Sequence, residues 1–260
     1  MQAVALFALA TSLICACAPA LASKARPSIH EATLDEQNQK TPEIATDEFK
    51  ALLAKGGSIV FDARPTEEYA VAHIPGSLIL DEKQLGRITQ SYPDRGTSIV
   101  IYSNGPFCDR ARTRSEDLLR LGYTRVSRYQ LGLPVWRALG NTAETNLQGF
   151  RQVARDSDTL IVDARSLTEY AAGTVPGAKA ILAGDVGRAE KDRRLRYLDH
   201  GARVIVFANS AGDARAVADE LARTAYSNTS YFDGSYTELK RAKFFTERKP
   251  SAADLGYSTK

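Results

Sequence analysis

Ser58-Ile-Val-Phe-Asp62-Ala-Arg64-Pro-Thr-Glu-Glu68-Tyr69 returns 101 residues later as Thr159-Leu-Ile-Val-Asp163-Ala-Arg165-Ser-Leu-Thr-Glu169-Tyr170. His73-Ile74-Pro75-Gly76 returns at the same displacement as Thr174-Val175-Pro176-Gly177. Further along, Ile99-Val-Ile-Tyr102-Ser103-Asn104 is matched by Val204-Ile-Val-Phe207-Ala208-Asn209, now 105 residues apart. A long repeat that keeps its internal order means two homologous units of about 100 residues each. The change of displacement puts an insertion in the second copy, expected in the charged stretch from Asp185 to His200.

Within each unit the pattern is α/β. Phe49, Leu52 and Leu53 share one helix face, and the helix should open near Thr46 and stop at Gly56-Gly57. Ile59 to Asp62 and Ile99 to Tyr102 are short β-branched runs without polar alternation, as in strands buried on both faces of a parallel sheet. Ala111, Ser115, Leu118 and Leu119 mark a helix that ends at Gly122, and Ala214, Ala218, Leu221 and Ala225 mark its counterpart. Alternating strands and helices predict a parallel sheet flanked by helices in each unit, with ligands beyond the carboxyl ends of the strands. The loop after Tyr102 is therefore where chemistry belongs.

Composition limits the partners. The 260 residues carry 34 Lys+Arg against 31 Asp+Glu, a net +3 that is too even to predict nucleic acid as a partner. Three cysteines, Cys15, Cys17 and Cys108, exclude a multi-disulfide scaffold and a four-cysteine zinc site, and no metal or other cofactor is expected. Residues 1–22 contain no charged side chain and end in Ala20-Leu21-Ala22, which reads as a secretory signal cut after Ala22. Ile14-Cys15-Ala16-Cys17 also resembles a bacterial lipoprotein box, in which Cys17 would carry the lipid and tie the chain to a membrane. An uncleaved anchor is the third alternative. The expected location is the bacterial periplasm, with Cys108 the one thiol left after cleavage.

Asp62-Ala-Arg64, Glu68-Tyr69, His73-Ile-Pro-Gly76, the strand into Tyr102 and Gly132-x-x-x-Trp136-x-x-x-Gly140 together resemble a rhodanese domain, over residues 44–140. Residues 147–245 resemble the same family more faintly, keeping Asp163, Arg165, Glu169, Tyr170, Pro176 and Gly177 but not the histidine or the tryptophan. On this reading 23–43 and 141–146 are linkers and 246–260 is a polar tail. The resemblance implies two tandem α/β domains and sulfur transfer by a cysteine that opens the loop after the strand. The loop's inward N–H groups would form an anion-holding nest.

Here the loop reads Ser103-Asn104-Gly105-Pro106-Phe107-Cys108-Asp109-Arg110, similar to an exported branch of the family whose loop runs Cys-Asn-Gly-Pro-x-Cys. Serine stands at the nucleophile position. Its hydroxyl cannot hold a persulfide, and without an adjacent base it is a poor nucleophile. His73 is read as support for its turn, and Asp62 with Arg64 as a charge-assisted pair at the strand end. The second loop offers Ala208 and no thiol, so that copy is expected to be inert.

Two readings of Cys108 stay open. It is a reactive thiol at a helix start, its pKa lowered by Arg110 and Arg112, or the surviving second cysteine of the motif, half-buried beside Asp109. Trp136 and Tyr129 are expected in the core, and Arg188 to Arg196 on a solvated helix face. Three functions follow from these residues. One is a protein without conventional sulfurtransferase activity that binds an oxyanion, a sulfur compound or a protein partner. A second is a sulfurtransferase or persulfide carrier acting through Cys108, and a third a phosphatase-like hydrolase. Ser103→Cys is the exchange that would restore the family's nucleophile.

Overall fold

The computed structural model describes residues 28–195, 201–224 and 226–243. The signal and lipobox readings on 1–22, Ala225, Arg196 to His200 and the tail from 246 lie outside these residues.

In the first unit β1 (Ser58–Asp62), β2 (Leu78–Ile79), β3 (Ser98–Tyr102) and β4 (Val126–Tyr129) form a parallel sheet in the order β2-β1-β3-β4. In the second, β5 (Ala143–Thr145), β6 (Leu160–Asp163), β7 (Lys179–Ala180), β8 (Val204–Phe207) and β9 (Thr229–Phe232) are ordered β5-β9-β8-β6-β7, again all parallel. Helices connect the strands as crossovers. α1 (Thr46–Lys55) ends where Gly56 takes a positive φ, as its Gly-Gly stop predicts.

Each sheet carries apolar clusters of its own, which explains the unbroken β-branched strands. Val60, Val100 and Tyr102 pack with Phe49, Tyr129 and Trp136, whereas Phe61, Ile99 and Ile101 pack with Ala111 and Leu118 of α4 (Arg110–Arg120). In the second unit Val204 and Val206 meet Ala214, Ala218 and Leu221 of α9 (Ala211–Arg223), and Ile205 and Phe207 meet Phe150 and Phe232. Trp136 and Tyr129 are core residues, and the indole N–H is satisfied by the Thr142 carbonyl at 2.8 Å.

Two stretches differ from their sequence reading. Residues 141–146, taken as a linker, contain β5, which pairs with β9 at the edge of the second sheet. Its first-unit counterpart is Glu43, bridged to Arg128 of β4. Three-residue strands are too short for periodicity to reveal. The stretch from Arg188 is not a wholly solvated helix face. The helix α8 (Val186–Lys191) stops there, Arg193 turns with φ 67°, and Arg194 is buried between the carboxylates of Asp185 and Asp192 at 2.7 Å each. A basic run flanked by acids reads the same whether it faces water or folds inward.

The units meet along α2 (Thr66–Val71) and α6 (Leu147–Val153). His73 and Glu144 exchange backbone hydrogen bonds of 2.9 and 2.7 Å, the Asn146 N–H donates to the Ala70 carbonyl, and the Thr145 hydroxyl donates to the Val71 carbonyl. Gly149 lies so near the Ala70 carbonyl that a Cβ there would fall 1.9 Å from its oxygen.

Candidate functional site

Strand register builds the site. Asp62 lies beside Tyr102 and Asp163 beside Phe207, so each unit gathers its aspartate, its last aromatic and the following loop at the carboxyl end of its sheet. Asp62 accepts from the Arg64 backbone N–H and from its guanidinium Nε, both at 2.9 Å. Arg64 reaches on to the Ala72 carbonyl, holding the turn that carries His73. The second unit repeats this with Asp163, Arg165 and the Gly173 carbonyl. The Tyr69 and Tyr170 hydroxyls close the same turn on the Ser77 and Ala178 carbonyls at 2.7 and 2.8 Å. These shared residues are a latch that fixes the loop's floor.

The units differ in a coupled pair of positions. In the first, the buried Tyr102 hydroxyl donates to Asp62 at 2.7 Å, accepts from the Ile74 N–H at 2.9 Å and lies 2.9 Å from the Ser77 hydroxyl. In the second, Phe207 has no hydroxyl, and Thr174 donates to Asp163 at 2.7 Å instead. Thr174 occupies the place of His73, which is thereby released from the aspartate. His73 stacks on Tyr69 with ring centroids 3.9 Å apart, and its Nδ1 donates to the Tyr69 carbonyl at 2.8 Å. Burial lowers its pKa, against the Tyr69 carbonyl and Glu144, which raise it. It is a support of the turn and the interface, bonded to neither Ser103 nor Cys108.

Tyr102→Phe is expected to leave the Ile74 N–H buried without a partner and to weaken the hold on Asp62, destabilising the protein by about 2 kcal/mol. Urea unfolding of the variant against wild type checks this. An unchanged midpoint and slope would show that the hydroxyl is not needed.

The loop above this floor is pinned from below. Gly132 opens α5 (Gly132–Ala138) at φ 68°, and a Cβ there would stand 2.4 Å from the Ser103 carbonyl oxygen. Leu133 donates its N–H to that same carbonyl at 3.1 Å. Gly105, at φ 89°, sits where a Cβ would stand 2.8 Å from the Leu131 carbonyl oxygen. Gly105, Pro106, Phe107 and Cys108 then form a turn closed by the Cys108 N–H on the Gly105 carbonyl at 3.0 Å. Proline at the second position of such a turn presets its φ.

Pinning seals Ser103 in. It is 1% exposed, and its hydroxyl faces the Cys108 carbonyl at 3.4 Å. Cys108 is half-buried and forms no disulfide among the described residues. Burial pushes its pKa up, but the N–H of Arg110, the Ser103 hydroxyl, the N–H of Asn104 and the Arg110 charge outweigh that and leave the thiol below its ordinary range. The loop's donors thus serve the sulfur at 108.

Other site residues from the sequence take different places. The Asn104 amide donates to Glu68 at 2.7 Å, as Asn209 does to Glu169. Asp109 and Arg112 pair with each other at 2.6 Å, so it is Arg110 that acts on the thiol. Sequence spacing could not show that Ser103 and Cys108 abut across the turn.

The second cradle lies over a cavity of about 380 Å³ whose lining includes Arg165, Ser166, Leu182, Ala208, Asn209 and Asp213. Ala208 replaces the nucleophile, and the Asp213 carboxylate accepts from the Ser210 hydroxyl at 2.7 Å in the first turn of α9. A carboxylate already fills the place where a helix start would favour an anion.

The Rhodanese-like domain model matches residues 45–139 and again 147–242. Similar solved structures include thiosulfate sulfurtransferase from Pseudomonas aeruginosa, with 23% identity, TM-score 0.35 and coverage of 83% of this chain and 46% of that one. BH2092 from Bacillus halodurans shows 26% identity and TM-score 0.37 over 40% of this chain and 77% of its own. The human single-domain sulfurtransferase TSTD1 shows 25% identity and TM-score 0.33 over 37% and 95%. The matched region is thus less than half the length of the Pseudomonas protein. Two matched domains in tandem, spanning most of the sequence, place this chain in the rhodanese-like family.

Proposed function

We propose that this chain is a carrier of sulfane sulfur that works through Cys108 and has given up conventional thiosulfate-to-cyanide transfer at position 103. One observation carries the reading. The oxygen at the family's nucleophile position is sealed beneath the loop, while the loop's donors stabilise the neighbouring sulfur, which is in part open to solvent.

The step is a simple displacement. The Cys108 thiolate attacks the outer sulfur of thiosulfate, a sulfur–sulfur bond forms to Cys108, and sulfite leaves with the electron pair of the broken bond. A polysulfide donor reacts alike, with a shorter polysulfide leaving. An acceptor thiolate then takes the outer sulfur and returns Cys108 to its thiolate. The second cradle, with alanine at the nucleophile position and its own carboxylate at the helix start, takes no part. We assign the activity to the periplasm on the strength of residues 1–22, and lipid on Cys17 is the variant that would hold it at a membrane.

Thiolate stabilisation has a direct readout. The rate of Cys108 alkylation by iodoacetamide should rise with pH around a pKa below the free-thiol value of ~8.5. Ser103→Ala removes one donor and should move the profile upward. A profile at or above the free-thiol value in wild type would remove the basis for the proposal.

A further inference from the structure

Phe107 is 103% exposed, more open than any other large apolar side chain among the described residues. It occupies the third position of the Gly105–Cys108 turn, next to the thiol, and the turn is held by Pro106 and by the tight fit of Gly105 against Leu131. The ring therefore stands out from a rigid support. Arg110, two residues past the thiol, is exposed too, and its guanidinium makes no ion pair or hydrogen bond among the described residues. Its neighbour Arg112 is neutralised by Asp109.

An inorganic sulfur donor has no use for the ring. Thiosulfate meeting the sulfur would leave every face of the ring in water. Only a body large enough to cover the tip of the loop buries the ring while its own sulfur meets Cys108. Exposed aromatics on rigid supports are the side chains that anchor protein–protein contacts.

We infer that Phe107 and Arg110 form a docking surface for a partner protein. The partner presents a cysteine beside an apolar residue and a carboxylate, and that cysteine exchanges sulfur with Cys108. The inference rests on the reading of Cys108 as the working thiol and adds the class of its partner. Phe107 fills a recess beside the partner's cysteine, and Arg110 meets the carboxylate.

Thiol–disulfide exchange tests the surface without any persulfide. The probes are blocked pentapeptides whose central cysteine is joined to thionitrobenzoate. The Cys108 thiolate attacks the peptide sulfur, a mixed disulfide forms, and thionitrobenzoate leaves with the electron pair and is read by its colour. One peptide has leucine before the cysteine and aspartate after it. The second replaces the leucine by glycine, and the third replaces the aspartate by lysine.

Wild-type protein should react about tenfold faster with the leucine peptide than with the glycine peptide, and Phe107→Ser should bring the two rates together. At low salt the lysine peptide should be slower than the aspartate peptide in wild type, and Arg110→Gln should narrow that gap. Equal wild-type rates with leucine and glycine, or a preference that survives Phe107→Ser, would overturn the inference. A preference that behaves as described in a protein that never takes up sulfane sulfur would keep the docking surface and refute the carrier. Uptake of sulfur without the preference would do the reverse.

Discussion

Ser103→Cys should empty the protein of stored sulfur rather than restore a sulfurtransferase. The hydroxyl at 103 lies 3.4 Å from the Cys108 carbonyl and acts on its sulfur. A thiol in that place stands beside Cys108 under the same turn. Once Cys108 carries a sulfane sulfur, the introduced thiolate can attack the Cys108 sulfur itself. A disulfide then forms across the loop, and hydrosulfide leaves with the bonding pair. Two groups held in one loop react with an effective concentration no free thiol reaches, so the persulfide's lifetime should fall on the order of 100-fold or more. Intact mass spectrometry after polysulfide treatment should show a loss of about 2 Da in the variant, where wild type gains about 32 Da. A long-lived adduct in the variant, with no disulfide, would show that the two positions do not meet. Serine at 103 thus has a chemical use in a carrier, because its hydroxyl lowers the thiol's pKa and cannot resolve the persulfide.

The largest loss of stability should come from Gly149→Ala, at the interface between the units. The added methyl would fall 1.9 Å from the Ala70 carbonyl oxygen and 2.7 Å from the Val71 nitrogen. Both are backbone atoms, so no side chain can swing aside. α2 and α6 must separate, and with them the Asn146-to-Ala70 and Thr145-to-Val71 hydrogen bonds. Overpacking against rigid backbone costs about 3 kcal/mol, equivalent to a drop of roughly 10 °C in melting temperature for a protein of this size. The two units should also unfold in separate steps once their interface is strained. Calorimetry gives both quantities, and a single transition at the wild-type temperature would mean that the helices do not pack this closely.

Much of the fold was legible because the sequence states it twice. A β-branched run ending in Asp-Ala-Arg can be read once and checked against its copy, and strands such as Ile99 to Tyr102 and helices such as Thr46–Lys55 emerged close to their observed bounds. Three-residue β5 escaped because so short a strand has no period of its own. Arg194 escaped because its burial depends on Asp185 and Asp192 folding toward it, a tertiary effect. At the site, the serine and the missing second thiol were plain in the sequence. What spacing could not give was the turn that lays Cys108 over Ser103, since its shape is set by Gly132 and Leu133 from a different element. The exchange of His73 and Tyr102 for Thr174 and Phe207 was equally hidden, because its logic lies in which group reaches the aspartate.

The central claim is that sulfur rides on Cys108, and peptide mass mapping of the thiosulfate- or polysulfide-treated wild-type protein addresses it directly. The account predicts an adduct of about 32 Da confined to the peptide that contains Cys108, removed by an acceptor thiol and missing in Cys108→Ala. Thiocyanate formation from thiosulfate and cyanide that persists undiminished in Cys108→Ala would contradict it.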